Sequence, residues 1–242
     1  MTLYVMGVRI ADNLQIVRRR ILSACQRCGR SPDSVHLIAV TKNQPLKKIA
    51  EAFHEGHRDF GDNYVQELKE HQQSLCDPSI PLQPIRWHFI GQLQRNKVKY
   101  LIGHVVLIHS LDSIGLANEI HNRAQAKNIV QPALLQINLA SEETKGGLQE
   151  NEIPPFLHQC NSLDHLLLKG LMALPPFHED PEKTRPYFHH LREIMDEINE
   201  KKMYKEPLKG LSMGMSHDFE VAIEEGATWL RVGTDIFGER AL

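Results

Sequence analysis

A single lysine stands where its side chain could act as a nucleophile toward a carbonyl compound. Lys42 follows an apolar run that extends from Val35 to Val40, with one threonine between them. Such a run, bounded by turn residues, is typical of a buried β-strand. Removal from water disfavours the charged ammonium group, and a neutral lysine amine forms Schiff bases. Taken alone, the same residue could also simply end a strand at the protein surface.

Two segments near the end of the chain have the features of a phosphate-binding site. The first, residues 214–218, places a glycine and a serine hydroxyl just before a helical pattern. The second, residues 231–234, ends an apolar run with a glycine and a threonine hydroxyl. Backbone N–H groups in such turns and at helix starts bind anions. Gly233 could instead do no more than turn the chain out of a strand.

A reactive lysine combined with a phosphate site indicates an aldehyde or ketone that carries a phosphate group. Two ligand classes fit this description. One is a sugar phosphate, as in Schiff-base aldolases. The other is pyridoxal 5′-phosphate (PLP), whose aldehyde binds lysine while its phosphate lies apart. These residues alone leave both classes open.

Strands and helices must alternate along the chain to bring these residues together. Short apolar segments predict eight strands, at 35–40, 58–61, 85–90, 105–109, 133–139, 166–172, 208–213 and 229–232. Helical periodicity predicts helices at 10–28, 45–55, 64–75, 95–102, 113–127, 150–161, 182–202 and 219–225. The prolines within residues 76–84 predict a loop.

Eight strands that alternate with helices, after one leading helix, predict an α/β fold, a single (β/α)8 TIM barrel with an extra N-terminal helix. We expect residues 1–242 to form one domain. The alternative is a doubly wound open sheet, which normally has a glycine-rich phosphate turn after its first strand. Residues 41–45 contain no glycine. In a barrel the carboxyl ends of all strands share one rim, so Lys42 and the two phosphate-type segments would meet there.

Composition excludes several other classes of protein. Twenty-eight basic and 30 acidic residues give a net charge of −2, so we expect no broad attraction to nucleic acid or to an anionic membrane. No apolar run approaches the roughly 18 residues of a membrane-spanning helix, and the first residues do not resemble a signal peptide. Four cysteines are too few for a disulfide scaffold, and Cys25 and Cys28 lack partners for a zinc site. We therefore expect a cytoplasmic protein without a metal site.

Seven segments carry a resemblance that runs along nearly the whole chain. They read AVTK at 39–42, FGDNYVQE at 60–67, WHFIG at 87–91, QIN at 136–138, KGLMA at 169–173, LSMGMS at 211–216 and RVGTDIFG at 231–238. In this order they resemble the pyridoxal phosphate homeostasis protein family, also called the YggS/PROSC family. The resemblance implies a PLP-binding barrel of fold type III, similar to the N-terminal domain of alanine racemase.

The resemblance also implies a role for particular residues. PLP would be bound by Lys42 as a Schiff base, and Arg231 matches the position from which an arginine meets the pyridine nitrogen. The other implied cofactor-binding residues are Ser216, Gly233 and Thr234, which would hold the phosphate, and Asn63 and Met213, which would line the pocket. No residue is assigned a catalytic role.

Three positions depart from the commoner family pattern. Asp62 stands where glutamate is usual, Gln92 where proline is common, and His217 where an acidic residue is common. The change at Asp62 keeps the charge. His217 could add positive charge beside the phosphate, but we expect it to face solvent. The segment around Lys145 resembles a lysine loop of the family whose role we do not assign.

The resemblance implies a PLP carrier or buffer in intracellular PLP homeostasis rather than an efficient enzyme. An arginine at the pyridine nitrogen disfavours protonation of the ring, because two positive charges would meet. Racemases with this arrangement take a second base from another domain, and we expect no such domain here because eight residues follow Thr234. The alternative is a PLP enzyme of low activity, such as an amino-acid racemase. Expected partners are PLP and PLP-dependent apo-enzymes, with no nucleic acid and no membrane, and the chain is expected to be a monomer or weak dimer.

Overall fold

The computed structural model describes residues 9–75, 85–140 and 146–239. Eight parallel strands form a closed barrel in which each strand pairs with its neighbours in sequence and the last pairs with the first. The strands are β1 His36–Val40, β2 Asp59–Asp62, β3 Arg86–Phe89, β4 Leu107–Leu111, β5 Gln131–Ile137, β6 Leu166–Ala173, β7 Gly210–Ser212 and β8 Trp229–Val232. The predicted closed (β/α)8 barrel is thereby confirmed.

Helices cover the outside of the barrel. They are α1 Ile10–Arg27, α2 Leu46–His54, α3 Val65–Leu75, α4 Ile114–Ala126, α5 Ile153–Cys160, α6 Arg185–Glu200, α7 Phe219–Glu224 and α8 Thr234–Phe237. Short 3₁₀ segments lie at Pro32–Ser34, Arg95–Tyr100, Glu150–Glu152 and Pro181–Thr184. None of the helices within the described residues is long and apolar enough to span a membrane.

The sequence-based boundaries differ from the structure at a few places. The helix predicted at 95–102 is a 3₁₀ segment, and α8 was not predicted. Strand β5 includes Pro132, because pairing of β5 with β4 begins only at Ala133 and no ladder bond is lost at the proline. Strand β7 starts at Gly210, since Leu208 is held by the Asn199 side chain through both its N–H and its carbonyl, each at 2.8 Å. The loop predicted at 76–84 lies outside the described residues.

Most of the hydrophobic core lies between the strands and the helices, while a smaller cluster fills the barrel interior. The interior cluster consists of Leu107, Leu134 and Met172, packed against Trp229. Gly210 makes room for this tryptophan: a Cβ atom there would lie 1.9 Å from Trp229 Cζ3. The barrel is therefore filled by side chains and is not a channel. Binding must occur at its rim.

Helix α1 stabilises the part of the rim formed by the last two strands. The guanidinium of Arg20 donates to Glu220 at 3.2 Å and to Asp235 at 2.5 Å, so one side chain joins α7 and α8. Asn13 Nδ2 donates to the carbonyl of Ile236 at 2.8 Å. These two helices follow the two segments that predict a phosphate site. Helix α1 therefore fixes the relative position of those segments.

Stability is expected to fall on mild acidification because buried histidines must stay neutral. Burial lowers the pKa of His57 to about 4, and its Nε2–H donates to the Asp59 carbonyl at 2.8 Å. The pKa in the unfolded chain is higher, so the unfolded state takes up more protons between these two values. The contribution of His57 to the free energy of unfolding is fully present above pH 6.5 and is lost as the pH falls toward 4. The loss from this group is on the order of 3 kcal/mol. Denaturant unfolding at pH 7 and pH 4.5 measures it.

The matched variants for this experiment are His57→Gln and His54→Gln. Glutamine at position 57 keeps a donor but does not titrate, whereas His54 is exposed. The first substitution should reduce the acid-induced loss of stability and the second should leave it unchanged. An equal loss in both variants would show that His57 does not contribute.

Candidate functional site

A tight turn directly after β1 places Lys42 at the carboxyl rim of the barrel. The Thr41 hydroxyl and N–H both donate to the Gly61 carbonyl, at 3.0 and 2.9 Å, and the Gln44 N–H donates to the Thr41 carbonyl at 2.9 Å. Asn43 takes the left-handed conformation, with φ of 56°, which asparagine tolerates better than most residues. This turn was not recognised in the sequence, although asparagine is typical of such positions.

Lys42 is half-buried, and its amine forms no ion pair with a described carboxylate, although Glu67 accepts from the N–H of the next residue, Asn43, at 3.1 Å. Its Nζ lies 5.1 Å from the centroid of the Tyr64 ring, on which the cation packs. In the described part of the chain it has no carboxylate partner and no hydrogen bond. A lysine without an ion pair keeps its amine available for reaction. The role of Lys42 as a nucleophile stays a prediction.

The segments after β7 and β8 present unpaired backbone donors beside this lysine. Gly233 packs against the end of β1: a Cβ atom on it would lie 3.4 Å from Val40 Cβ. Across residues 9–75, 85–140 and 146–239, no acceptor pairs with the N–H groups of Ser216, Gly233 or Thr234. The Ser216 hydroxyl accepts from the Asp235 N–H at 3.3 Å, which joins the two segments. Unpaired N–H groups in turns and at helix starts are suited to bind an anion, and the phosphate role of these three residues stays a prediction.

Asp218 shapes the first of these segments and was missed in the sequence. Its carboxylate accepts from the Met215 N–H at 2.7 Å, across the turn that contains Ser216. Gly214 has φ of 89°, and a Cβ atom there would lie 2.6 Å from Ala222 Cβ. The Asp218 N–H also donates to the Met215 carbonyl at 3.1 Å, and aspartate is common in turns, so the sequence could have indicated it.

Arg231 is a buried cation near the carboxyl end of β8. Its side chain is 5% exposed, and it donates to Ser212 Oγ at 2.6 Å and to the Ala173 carbonyl at 2.9 Å. Burial lowers its pKa to about 10, while the nearby Asp218 carboxylate acts in the opposite direction. The guanidinium therefore remains charged at neutral pH. Its two terminal nitrogens are held by protein acceptors.

Asn63 and Met213 differ in their surroundings. Asn63 lines a cavity of 590 Å³ together with Tyr64 and Gly91, and its Oδ1 is buried without a hydrogen-bond partner among the described residues. Met213 is fully buried and packs in the main core. Lys42, Arg231 and the phosphate-type segments do not line this cavity, so the roles of Asn63 and Met213 in lining the PLP pocket stay predictions.

The three departures from the family pattern take separate positions. Asp62 is fully buried and accepts a hydrogen bond from His71 Nδ1 at 2.8 Å, which links the end of β2 to α3. Gln92 lines the cavity beside Asn63. His217 is exposed, and its Nε2–H donates to the Glu179 carbonyl at 2.9 Å. Lys145 lies outside the described residues.

The described residues contain no group of three or more His, Cys, Asp or Glu side chains suited to a metal ion.

Comparison with known proteins places these features in a family. The family model described as alanine racemase, N-terminal domain, matches residues 9–241. The pyridoxal phosphate homeostasis protein of Aquifex aeolicus is 47% identical over 229 residues, which cover 95% of this chain and 97% of that protein. The protein of the same name from Pseudomonas aeruginosa is 38% identical over 231 residues, with 96% of each chain covered.

A solved structure gives the same result at the level of the fold. The structure of PipY of Synechococcus elongatus with PLP bound matches with a TM-score of 0.82 and 34% identity, covering 95% of this chain and all of that chain (100%). The closed parallel barrel and the sequence relationship extend over almost the same residues. The chain therefore belongs to the alanine racemase N-terminal domain family, in which it groups with the pyridoxal phosphate homeostasis proteins.

Proposed function

We propose that this protein binds PLP reversibly through Lys42 and acts as a carrier or buffer in intracellular PLP homeostasis. The observation that carries the proposal is the position of an unpaired lysine amine beside unpaired backbone donors on the same rim. Relatives over nearly the whole length are named for PLP homeostasis, and a structural neighbour binds PLP. We extend the proposal to delivery of PLP to PLP-dependent apo-enzymes in the cytoplasm.

The residues of the rim fit the chemical groups of PLP. Bound PLP supplies an aldehyde carbon that condenses reversibly with a primary amine. Lys42 offers that amine without a competing carboxylate among the described residues. Ser216, Gly233 and Thr234 offer the donors for the phosphate, and Arg231 offers a fixed cation for the ring nitrogen. The relatives named for PLP homeostasis and the neighbour with PLP bound favour PLP over a sugar phosphate.

Arg231 also favours a carrier over an efficient enzyme. A charged guanidinium beside the pyridine nitrogen opposes protonation of the ring, and the unprotonated ring withdraws electrons weakly. Tyr64 contacts Lys42, but it is half exposed and packs its ring face on the lysine. That geometry uses the ring as a platform for the cation rather than as a positioned base.

The experiment that separates carrier from enzyme measures turnover and transfer in the same preparation. PLP-loaded protein is incubated with each of a set of L-amino acids, and the D-enantiomer is quantified against the same concentration of free PLP. The carrier proposal expects no excess racemisation, and it expects PLP to appear on an added apo-enzyme. Racemisation well above that of free PLP would favour the alternative, an amino-acid racemase of low activity.

The Arg20 side chain is expected to matter for PLP affinity although it lies outside the rim. Arg20→Ala removes the link between Glu220 and Asp235, and the two phosphate-binding segments then lose a common support. We expect the Kd for PLP to rise about tenfold, which corresponds to about 1.4 kcal/mol of binding free energy. Spectroscopic titration with PLP measures the change.

The matched control is Arg27→Ala, which removes a comparable ion pair between α1 and α7 but does not reach α8. This control should bind PLP like the wild type. Equal weakening by both substitutions would attribute the effect to general loosening of α1.

A further inference from the structure

A row of polar side chains crosses the interior of the barrel and reaches Arg231. Successive contacts are 2.6 Å from Arg231 to Ser212, 2.8 Å from Ser212 to His109, 3.1 Å from His109 to His88 and 3.2 Å from His88 to Asp59. We call these five residues the polar row. Asp59 begins β2, whereas Ser212 ends β7, so the row runs from one end of the barrel to the other.

The lower end of the polar row is an acceptor. Burial alone would raise the pKa of Asp59, but hydrogen bonds from His88 and Arg86 outweigh it and hold the pKa well below its ordinary value. The carboxylate can therefore only accept. His88 Nε2 must carry a proton and donate it to Asp59.

The directions of the other hydrogen bonds in the polar row follow from which atoms can donate and which can accept. Burial lowers the pKa of His88, despite Asp59, and that of His109, which is fully buried, so both imidazoles are neutral. Neutral His88 with a proton on Nε2 has an acceptor at Nδ1, and His109 Nε2 must donate to it. His109 Nδ1 is then an acceptor, and only the Ser212 hydroxyl can fill it. All protons in the row point away from Arg231.

Arg231 completes the same pattern from the upper end. A guanidinium has donors and no acceptor, so Ser212 Oγ must accept from Arg231 Nη1. The hydroxyl has one proton, and His109 holds that proton on the side away from the guanidinium. The lone pair of Ser212 is thus aimed at Arg231. The directions that the Asp59 end requires are thus compatible with the donor from Arg231 at the other end.

We propose that His109 and His88 are positioning residues of the proposed cofactor site, held in the neutral Nε2–H tautomer, and that they act through Ser212 to orient the guanidinium of Arg231. The effect on PLP binding rests on the function proposed above. The assignment of the tautomers is independent of that function, because it follows from contacts within the chain. Residues far below the rim then contribute to how the cation meets the ring nitrogen.

The tautomers are tested by NMR without any use of PLP. Protein labelled with ¹⁵N in histidine is compared with His109→Asn and His88→Asn variants, whose missing signals assign the two rings. Each ring should show a protonated Nε2 and an unprotonated Nδ1 at pH 8. A proton on Nδ1 of either ring at this pH would overturn the proposal.

The positioning effect is tested with substitutions that differ mainly in one acceptor. Asparagine at position 109 can place its oxygen near the position of Nδ1 and still accept from Ser212, whereas leucine has a similar shape and no acceptor. We expect His109→Leu and Ser212→Ala to weaken PLP binding about tenfold and to shift the absorbance maximum of the bound form. His109→Asn should restore most of both properties.

A thermal unfolding curve for each variant shows whether it is folded. If His109→Leu is folded and binds PLP with the affinity and spectrum of the wild type, the polar row does not position Arg231. If neither the wild type nor the variants bind PLP, the function proposed above fails, while the NMR result still decides the tautomers.

Discussion

Lys42→Ala is expected to abolish the visible absorbance band that forms when PLP is added to the wild-type protein. The alanine variant keeps the backbone donors of Ser216, Gly233 and Thr234 but has no amine at the end of β1. PLP can then bind only through its phosphate and ring, without the covalent bond. We expect the apparent affinity to fall by at least about 100-fold, the 2.7 kcal/mol that two powers of ten represent. Absorbance titration measures both effects.

Lys69→Ala is a closely matched control for this prediction. Lys69 Nζ packs on the Tyr100 ring at 4.8 Å, much as Lys42 packs on Tyr64, and Lys69 lines the cavity beside the rim. Its removal should leave the absorbance band unchanged. If Lys42→Ala keeps the band and Lys69→Ala loses it, the reactive lysine has been assigned to the wrong position.

Gly91→Ala is expected to destabilise the fold and weaken PLP binding together. A Cβ atom at Gly91 would lie 2.0 Å from the carbonyl oxygen of Asn63 and 2.7 Å from its Cα. Both sides of this contact are backbone, so no change of rotamer relieves it. The segment that carries Asn63 must move away from β3, which we expect to cost about 3 kcal/mol of unfolding free energy. Denaturant unfolding and PLP titration measure the two consequences.

A second glycine-to-alanine substitution gives the control. Gly115 lies in α4, where the nearest atom to a new Cβ is Arg95 Nη1 at 3.2 Å, the end of a flexible side chain. Alanine is favoured over glycine in a helix by up to about 1 kcal/mol, so Gly115→Ala should be neutral or stabilising. Similar midpoints for Gly91→Ala and the wild type would show that the β2 and β3 ends are not in close contact.

The barrel could be predicted because its signals are local. Each strand is a short apolar run between turn residues, and each helix has its own period, so the alternation is visible without knowledge of the contacts. The errors lie where a distant side chain decides a boundary. Leu208 looks like part of a strand, but Asn199 binds its backbone and the strand begins two residues later.

The residues of the rim could be predicted for the same reason, but the more distant side chains that hold them in place could not. Lys42 and Gly233 each follow an apolar run, and the carboxyl ends of parallel strands meet. Arg20 lies about 200 residues from the helices that it joins, and no local pattern indicates that contact. The polar row likewise depends on which strands face each other across the barrel. His88 and His109 were visible as polar residues in strands, but their hydrogen bonds required the structure.

Borohydride reduction of the PLP-loaded protein, followed by peptide mapping, tests the central claim most directly. Reduction converts a reversible bond between PLP and an amine into a stable one, so the modified residue can be identified by mass spectrometry. We predict that the modification lies on the peptide that contains Lys42 and that it reaches one equivalent per chain. Modification of another lysine in its place, or none above the level found with the Lys42→Ala variant, would contradict the account.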